Sequence, residues 1–283
     1  MNITVTNSSN ATQQFKGQLD DLIMEVFGFK FEEWHNKGFW NDDYERYSVI
    51  EDGVMLSNIS AYRMKMLING IEQDFLQLGS VATREGYRGK GLSKRIMEHI
   101  IEKYPDVPVF LGGDNDAAGF YLKCGFKPFT YWEPYINYSL KKGNGMVKLS
   151  IDDIKVDEYL KGRAQFSSIL DCKNQYPINW FHILHFHKDN IYELSELDAM
   201  LIAKQYGKTL ALFDVVAKKP LSFSDLEKHM SFDGVETIEF GFNPDWLGIN
   251  YLVKERFDEE GTPFLKGDFK LKREFTIPVL LTT

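Results

Sequence analysis

Cysteine is scarce: Cys124 and Cys172 are the only two in 283 residues. No disulfide framework can organise such a chain, so the core has to come from apolar burial. Long apolar runs are also missing. Stretches such as "VPVFL" and "IPVLL" fall far short of the roughly 20 residues a membrane-spanning helix needs. Positive charge is in deficit, with 33 Lys and Arg against 41 Asp and Glu, a net charge of −8. That balance argues against a nucleic-acid partner, which needs a basic face. Low-complexity tracts are absent. The opening stretch "MNITVTNSSNATQQ" is polar and lacks the basic-then-apolar layout of an export signal, so the expected location is the cytoplasm, with both thiols reduced.

What is present reads as a soluble protein with alternating strands and helices. Apolar residues at Phe15, Leu19, Leu22, Ile23 and Val26 predict a helix over 14–28. The turns Glu51-Asp52-Gly53 and Asn69-Gly70 predict hairpins and a strand running to about Thr83. Leu92, Ile96, Met97 and Ile100 mark an amphipathic helix that Pro105 and Pro108 end. "VPVFLGG" reads as a buried strand, and "DNDAAGFYLKCGF" as a short helix closed by Gly125. The charged, glycine-bearing "KKGNG" at 141–145 predicts a boundary between domains 1–143 and 146–283. In the second half, a helix is expected within 151–170, strands around Gly207, a helix in "SFSDLEKHM" capped by Ser224 with Glu227 three residues later, and a strand pattern in "FKLKREFTIPVLL". The aromatic stretch Phe27 to Trp40 is expected to pack under a sheet, with a pocket wall as the other reading.

One segment contradicts the acidic balance. Residues 84–95 hold five basic residues, Arg84, Arg88, Lys90, Lys94 and Arg95, against Glu85 alone. They crowd the start of a helix, where the amide end already carries partial positive charge and acidic or small polar residues are preferred. Glycines before a helix N-terminus let several unpaired N–H groups converge on one point, which suits a phosphate. Arg88 and Lys90 would add charge-assisted contacts. The spacing of Gly86, Gly89 and Gly91 fits neither the nucleoside-triphosphate loop nor the dinucleotide fingerprint.

The pattern resembles the R-x-x-G-x-[GA] signature of GNAT acetyltransferases, read here as Arg88-Gly89-Lys90-Gly91-Leu92-Ser93, with Ser93 in place of the usual Gly or Ala. About 30 residues on, "NDAAGFYLKCGF" is similar to a second motif of the same family, and the resemblance as a whole covers roughly residues 14–140. The resemblance implies an α/β (α+β) GNAT fold, a mixed central sheet flanked by helices, and acetyl-CoA as cosubstrate with no metal. It implies that the pantetheine arm pairs with Val81, Ala82 and Thr83. The segment Arg88, Gly89, Lys90, Gly91, Leu92, Ser93 and Lys94 would cradle the pyrophosphate, Asn115 would border the cofactor, and Tyr121 would sit near the thioester sulfur.

The chemistry needs a neutral amine and a protonated leaving thiolate. Tyr121 suits the proton donor. Glu72 and Asp74 are candidate bases on the strand upstream of the cofactor segment. His182, His185 and His187 in "WFHILHFH" lack neighbouring Cys or carboxylate ligands at metal-binding spacing. "Lys204-Gln-Tyr-Gly207-Lys-Thr209" imitates a phosphate loop, but flanking strand patterns make it a hairpin.

The first motif is also similar to the group of the mycobacterial enhanced-intracellular-survival acetyltransferase, which joins a second, degenerate GNAT-like domain to the first. The third domain of that group has no counterpart in this length, and a carboxylate from Thr283 in the active site is left open. The resulting expectation is an N-acetyltransferase acting on the primary amine of a small molecule. A non-catalytic acyl-CoA-binding or sensing protein and a protein or peptide N-acetyltransferase stand as alternatives. The acceptor and the oligomeric state are not specified by the sequence.

Overall fold

The computed structural model describes residues 2–256 and 261–282. In chain order the elements begin β1 (Ile3–Thr6), α1 (Gln13–Phe27), α2 (Glu32–Asn36), β2 (Tyr44–Glu51), β3 (Val54–Ile68) and β4 (Ile71–Thr83). Then come α3 (Leu92–Lys103), β5 (Val109–Asp114), α4 (Ala118–Lys123), β6 (Lys127–Pro128) and β7 (Trp132–Asn137). They continue as β8 (Met146–Lys148), α5 (Ile154–Gly162), β9 (Leu170–Cys172), α6 (Tyr176–Phe186), β10 (Ile191–Leu194), β11 (Ala199–Tyr206) and β12 (Thr209–Ala217). The last are α7 (Phe223–His229), β13 (Thr237–Phe240), β14 (Leu252–Glu255) and β15 (Gly261–Lys266).

Two mixed sheets carry the fold. The first is ordered β1-β2-β3-β4-β5-β15-β6, with β9 added to the far end of β3. The second is ordered β14-β7-β13-β12-β11-β10-β8. Each contains one parallel pair, β4 with β5 and β12 with β13, bridged by α3 and α7 respectively. A parallel pair needs such a crossover, whereas the antiparallel neighbours close through tight turns. Asp52 and Gly53, Asn69 and Gly70, and Gly207 all take positive φ at those turns, as the hairpin reading requires. Gly207 therefore turns β11 into β12, and "KQYGKT" is no phosphate loop.

The sheets do not divide at 141–145. Strand β7, from before that segment, lies in the second sheet between β14 and β13. Strand β15, from near the chain end, lies in the first sheet between β5 and β6. Each sheet thus borrows a strand that local hydrophobic pattern cannot assign, because pairing partners far apart in sequence leave no periodic signature. The segment "KKGNG" connects two strands of the second sheet, β7 and β8.

One face of the first sheet packs on α3 and α4 through Ile59, Leu78, Ile96, Met97, Ile100 and Leu111. The other face is shared by α1, α2 and α6, with Leu19, Ile23, Trp34, Met64, Phe75 and Ile183 in one continuous cluster. Helix α6 is apolar almost all round, which marks a helix buried between layers. Trp34 Nε1 donates to the Pro177 carbonyl at 2.8 Å, tying α2 to the start of α6. Some local expectations shift. The helix predicted within 151–170 ends at Gly162. Beyond it, the Ser167 and Ser168 hydroxyls donate to the Asp245 carboxylate at 2.7 Å. The cap of α7 is Ser222, whose Oγ accepts from Asp225 N. The tail "FKLKREFTIPVLL" forms no strand. Phe269, Ile277, Leu280 and Leu281 are buried there by wedging into the core.

Three buried histidines set a pH dependence. Burial lowers His35 from 6.5 to about 3, and lowers His182 and His187 to about 4. The unfolded chain takes up these protons near pH 6.5 and the folded chain does not, so stability falls as pH drops from 6.5 toward 4. Each histidine accounts for up to about 2 kcal/mol of that loss by pH 5. His35 makes no hydrogen bond through either ring nitrogen and packs 4.9 Å from Trp40. Urea titrations at pH 7 and pH 5 should therefore show His35→Phe within about 1 kcal/mol of wild type at pH 7, with a smaller loss at pH 5. An unchanged pH slope in the variant would refute the assignment.

Candidate active site

The parallel pairing of β4 with β5 stops early. Leu76, Gln77 and Leu78 oppose Val109, Phe110 and Leu111, and there it ends. Both strands continue, β4 to Thr83 and β5 to Asp114, without pairing to each other. Ser80 carries the reason: its φ is +49°, and the β3–β4 register slips at this point. An extra residue in one strand bends it and sharpens its twist. Asn58 holds the bulge by donating from Nδ2 to the Ser80 carbonyl at 3.2 Å.

The gap between the diverging strands opens into a cavity of about 320 Å3. Gly79, Ser80 and Val81 line one side, and Gly112, Asp114 and Tyr121 the other. Phe27 comes from the end of α1, Phe29 and Phe31 from the loop after it, Tyr44 from β2, and Phe181, His182 and Phe186 from α6, with Thr282 completing the wall. Thr283 lies outside the described residues. The aromatic stretch 27–40 thus divides its work: Trp34 and Trp40 pack into the core, while Phe27, Phe29 and Phe31 face the cavity.

Support for this wall comes from behind. The Asp20 carboxylate accepts from Phe31 N at 2.7 Å and fixes the loop. Arg46 is fully buried, with its guanidinium 4.5 Å from the Phe31 ring centre and 4.2 Å from that of Tyr44. Burial lowers this guanidinium to about 10, which still leaves it charged at neutral pH. Phe29 and Phe181 lie 5.9 Å apart and Phe31 and Phe181 5.5 Å, so the two segments touch ring to ring.

Tyr121 is 4% exposed and packs 5.2 Å from Phe264 of β15. Burial, and then the charge of Asp114, push its phenol well above the usual range, so it holds its proton at neutral pH. His182 Nε2 meets the Thr282 carbonyl, and a neutral imidazole there must donate that bond.

Beyond the cavity β4 runs into the basic loop. Gly89 and Gly91 have φ of +74° and +80°, and a Cβ on either would meet open space. Gly91 precedes α3, and no side chain caps that helix. Arg88, Lys90 and Lys94 are exposed around it, with Arg88 Nε donating to the Thr83 carbonyl at 3.2 Å. The second unit differs at the equivalent crossover. The N-terminus of α7 is occupied by its own Ser222 and carries Asp225 in its first turn. Ser93 is no gap-filler: its hydroxyl joins Thr83 Oγ1 at 2.7 Å and Ser57 Oγ at 3.2 Å.

The residues singled out in the sequence are partly brought together. Val81 and Tyr121 line the cavity, Ala82 and Thr83 extend its open edge, and Arg88 through Lys94 follow. Asn115 sits just past Asp114 and accepts from Thr262 Oγ1 at 2.9 Å. Glu72 and Asp74 lie elsewhere, at the opposite end of β4, on the surface, paired with Lys173 at 2.6 Å and Lys65 at 2.5 Å. Seven residues of strand separate Asp74 from Val81, roughly 23 Å, so neither carboxylate reaches Tyr121. Being on one strand had suggested proximity, but a strand is too extended for that. The pocket-wall reading of the aromatic stretch holds for Phe27, Phe29 and Phe31, whereas Asp114, Phe181, Phe186 and the place of His182 in the wall are not signalled as site residues by the sequence reading. The four-residue spacing of His182 and Phe186 on an apolar helix is the signal that marks one face. Among the described residues, no group of three or more His, Cys, Asp or Glu could hold a metal.

A family model described as "Acetyltransferase (GNAT) domain" matches residues 9–129. That segment is a GNAT acetyltransferase domain, which makes it the acyltransferase part of the chain. Solved structures share the fold across both units. A conserved protein of Enterococcus faecalis V583, titled "Probable N-Acyltransferase", is 16% identical with a TM-score of 0.59, over 94% of this chain and 72% of its own. Eis1 from Mycobacterium abscessus is 12% identical with a TM-score of 0.56, over 94% and 73%. A GCN5-related N-acetyltransferase from Anabaena variabilis is 13% identical with a TM-score of 0.56, over 93% and 72%. At these identities the likeness is one of fold. No curated protein matches the chain.

Gly113 has its open side against the Tyr121 ring, and a Cβ there would overlap that ring. Gly113→Ala should lower the unfolding free energy by about 1–3 kcal/mol, as overpacking does. Denaturant midpoints would show it, and an unaltered midpoint would mean that Tyr121 is not held where described.

Proposed function

We propose that the protein is an acetyl-CoA-dependent N-acetyltransferase that moves an acetyl group directly to a primary amine of a small molecule. One observation carries this: the uncapped, glycine-flanked start of α3 and the unpaired edge of β4 lead without interruption to a cavity holding Tyr121.

The residues fit such a cosubstrate. Amides at Leu92 to Lys94, with Arg88 and Lys90, suit a diphosphate. Val81, Ala82 and Thr83 lie on an edge freed from β5, where an extended pantetheine amide can pair as a strand would. Asn115 lies at the end of β5 on the facing side. Acetyl-CoA would supply an acylated thioester carbon open to amine attack and a thiolate as leaving group. Tyr121 keeps its proton and donates a hydrogen bond toward the departing sulfur. Backbone N–H groups of the β4 edge can polarise the carbonyl oxygen. Residues 146–283 supply α6, which walls the acceptor side, and the second sheet with its crossover helix α7 is read as a GNAT-like unit that holds no cosubstrate. Glu72 and Asp74 have no part in the reading.

Two variants separate binding from chemistry. Arg88→Ala should weaken acetyl-CoA binding about tenfold or more by calorimetric titration, with an unchanged melting temperature. Equal affinity would remove the loop from the diphosphate role. Tyr121→Phe should lower kcat by about 10²-fold while acetyl-CoA binding is kept. A fully active variant would overturn the donor role and leave the cosubstrate site intact.

A further inference from the structure

The acceptor side of the cavity has a chemistry of its own. Phe29, Phe31, Phe181 and Phe186 make one wall, and the rings touch across the gap between the α1 loop and α6. Phe186 is 60% exposed, at the mouth, and Phe31 is 2% exposed, at the back. Asp114 is the one carboxylate among the described lining residues. His182 adds no positive charge, since burial keeps its imidazole neutral. Among the described residues an occupant here meets one carboxylate, with Ser80, His182 and Thr282 as further polar side chains beside a wall of phenylalanine and tyrosine rings.

That balance excludes some amines and favours others. A polyamine or aminoglycoside carries several ammonium groups, and among the described lining residues only Asp114 offers a carboxylate. The others would lie against phenylalanine rings with no counter-charge, which is costly once water is excluded. A compact aromatic body with one ammonium group satisfies both walls. Its rings stack on Phe29 and Phe181, and its nitrogen lies toward Asp114, on the side of Tyr121.

Resting on the acetyl-transfer reading above, we infer that the acceptor is a primary arylalkyl monoamine, with its ring among the phenylalanines and its ammonium group paired with Asp114. The reaction balances as follows. The ammonium loses one proton to solvent. The free amine's nitrogen bonds to the acetyl carbon, and the carbon–sulfur bond breaks. Tyr121 gives its proton to the sulfur, and the nitrogen's second proton restores the phenol. The products are the N-acetylamine and coenzyme A thiol, with one proton released to solvent.

The test uses the full chain and two readouts. Tryptamine is titrated calorimetrically into protein saturated with coenzyme A, and thiol release from acetyl-CoA is followed with tryptamine, ethylamine, spermidine and kanamycin. Tryptamine should bind and should exceed the other three in kcat/KM by about tenfold or more. Asp114→Asn should weaken tryptamine binding about tenfold with acetyl-CoA affinity unchanged, and Phe29→Ala should narrow the gap between tryptamine and ethylamine. Retained acetyl-CoA affinity reports that each variant is folded. A preference for spermidine or kanamycin would overturn the acceptor inference and leave acetyl transfer standing. Acetyl-CoA binding with no tryptamine binding and no turnover would also overturn it. Loss of acetyl-CoA binding by wild type would remove both readings.

Discussion

The separation of β4 from β5 is the constraint on which the site depends. A parallel pair that continued to the ends of both strands would satisfy every backbone group and leave no cleft. The bulge at Ser80 ends the pairing after Leu78 and Leu111. One irregularity then has two consequences. It frees a strand edge able to bind an extended ligand, and it opens a space into which Tyr121 and the aromatic wall project. The strained φ of a non-glycine residue is stabilised by the Asn58 side chain beneath it.

The space is enclosed by elements from both halves of the chain. Strand β15 flanks β5 on its outer side and supplies Phe264 against Tyr121, so the position of Tyr121 depends on a segment some 140 residues later in the chain. Helix α6 provides the opposite wall and is held to α2 through Trp34. The two sheets exchange strands, β7 for β15, and neither would keep its present neighbours alone. The cavity is thus a property of the joined molecule, while the basic loop is a property of the first sheet and its helix.

The contrast between the two crossover helices shows how a similar frame is put to different use. Helix α3 begins after a left-handed glycine with no side-chain cap and with exposed cations around it. Helix α7 begins with Ser222, whose Oγ accepts from Asp225 N, and the Asp225 carboxylate in turn accepts from the Ser222 hydroxyl. A helix start whose donors are met from within offers little to an anion. The chemistry of the first unit lies in what its helix leaves unsatisfied.

Much of this was legible in the sequence because it is local. Glycines at 89 and 91 among basic residues, the apolar face of α3, the hairpin turns and the strand to Thr83 each depend on neighbours within one or two turns of chain. Local chemistry therefore determined the phosphate-type loop, the elements around it and the likeness to acetyltransferases. The rest depended on contacts with no periodic trace. Glu72 and Asp74 looked close to the site only because they share its strand, and an extended strand carries them to its other end. Asp114 looked ordinary until the divergence of β4 brought it to a cavity edge. Phe29 and Phe181 belong to one wall although about 150 residues separate them, and β15 reads as nothing in particular until it pairs with β5. The sequence by itself determined where an anion can be held, because backbone conformation and side-chain charge are set locally. Only the tertiary structure decided what faces the reacting centre, because long-range packing chooses which distant segments meet.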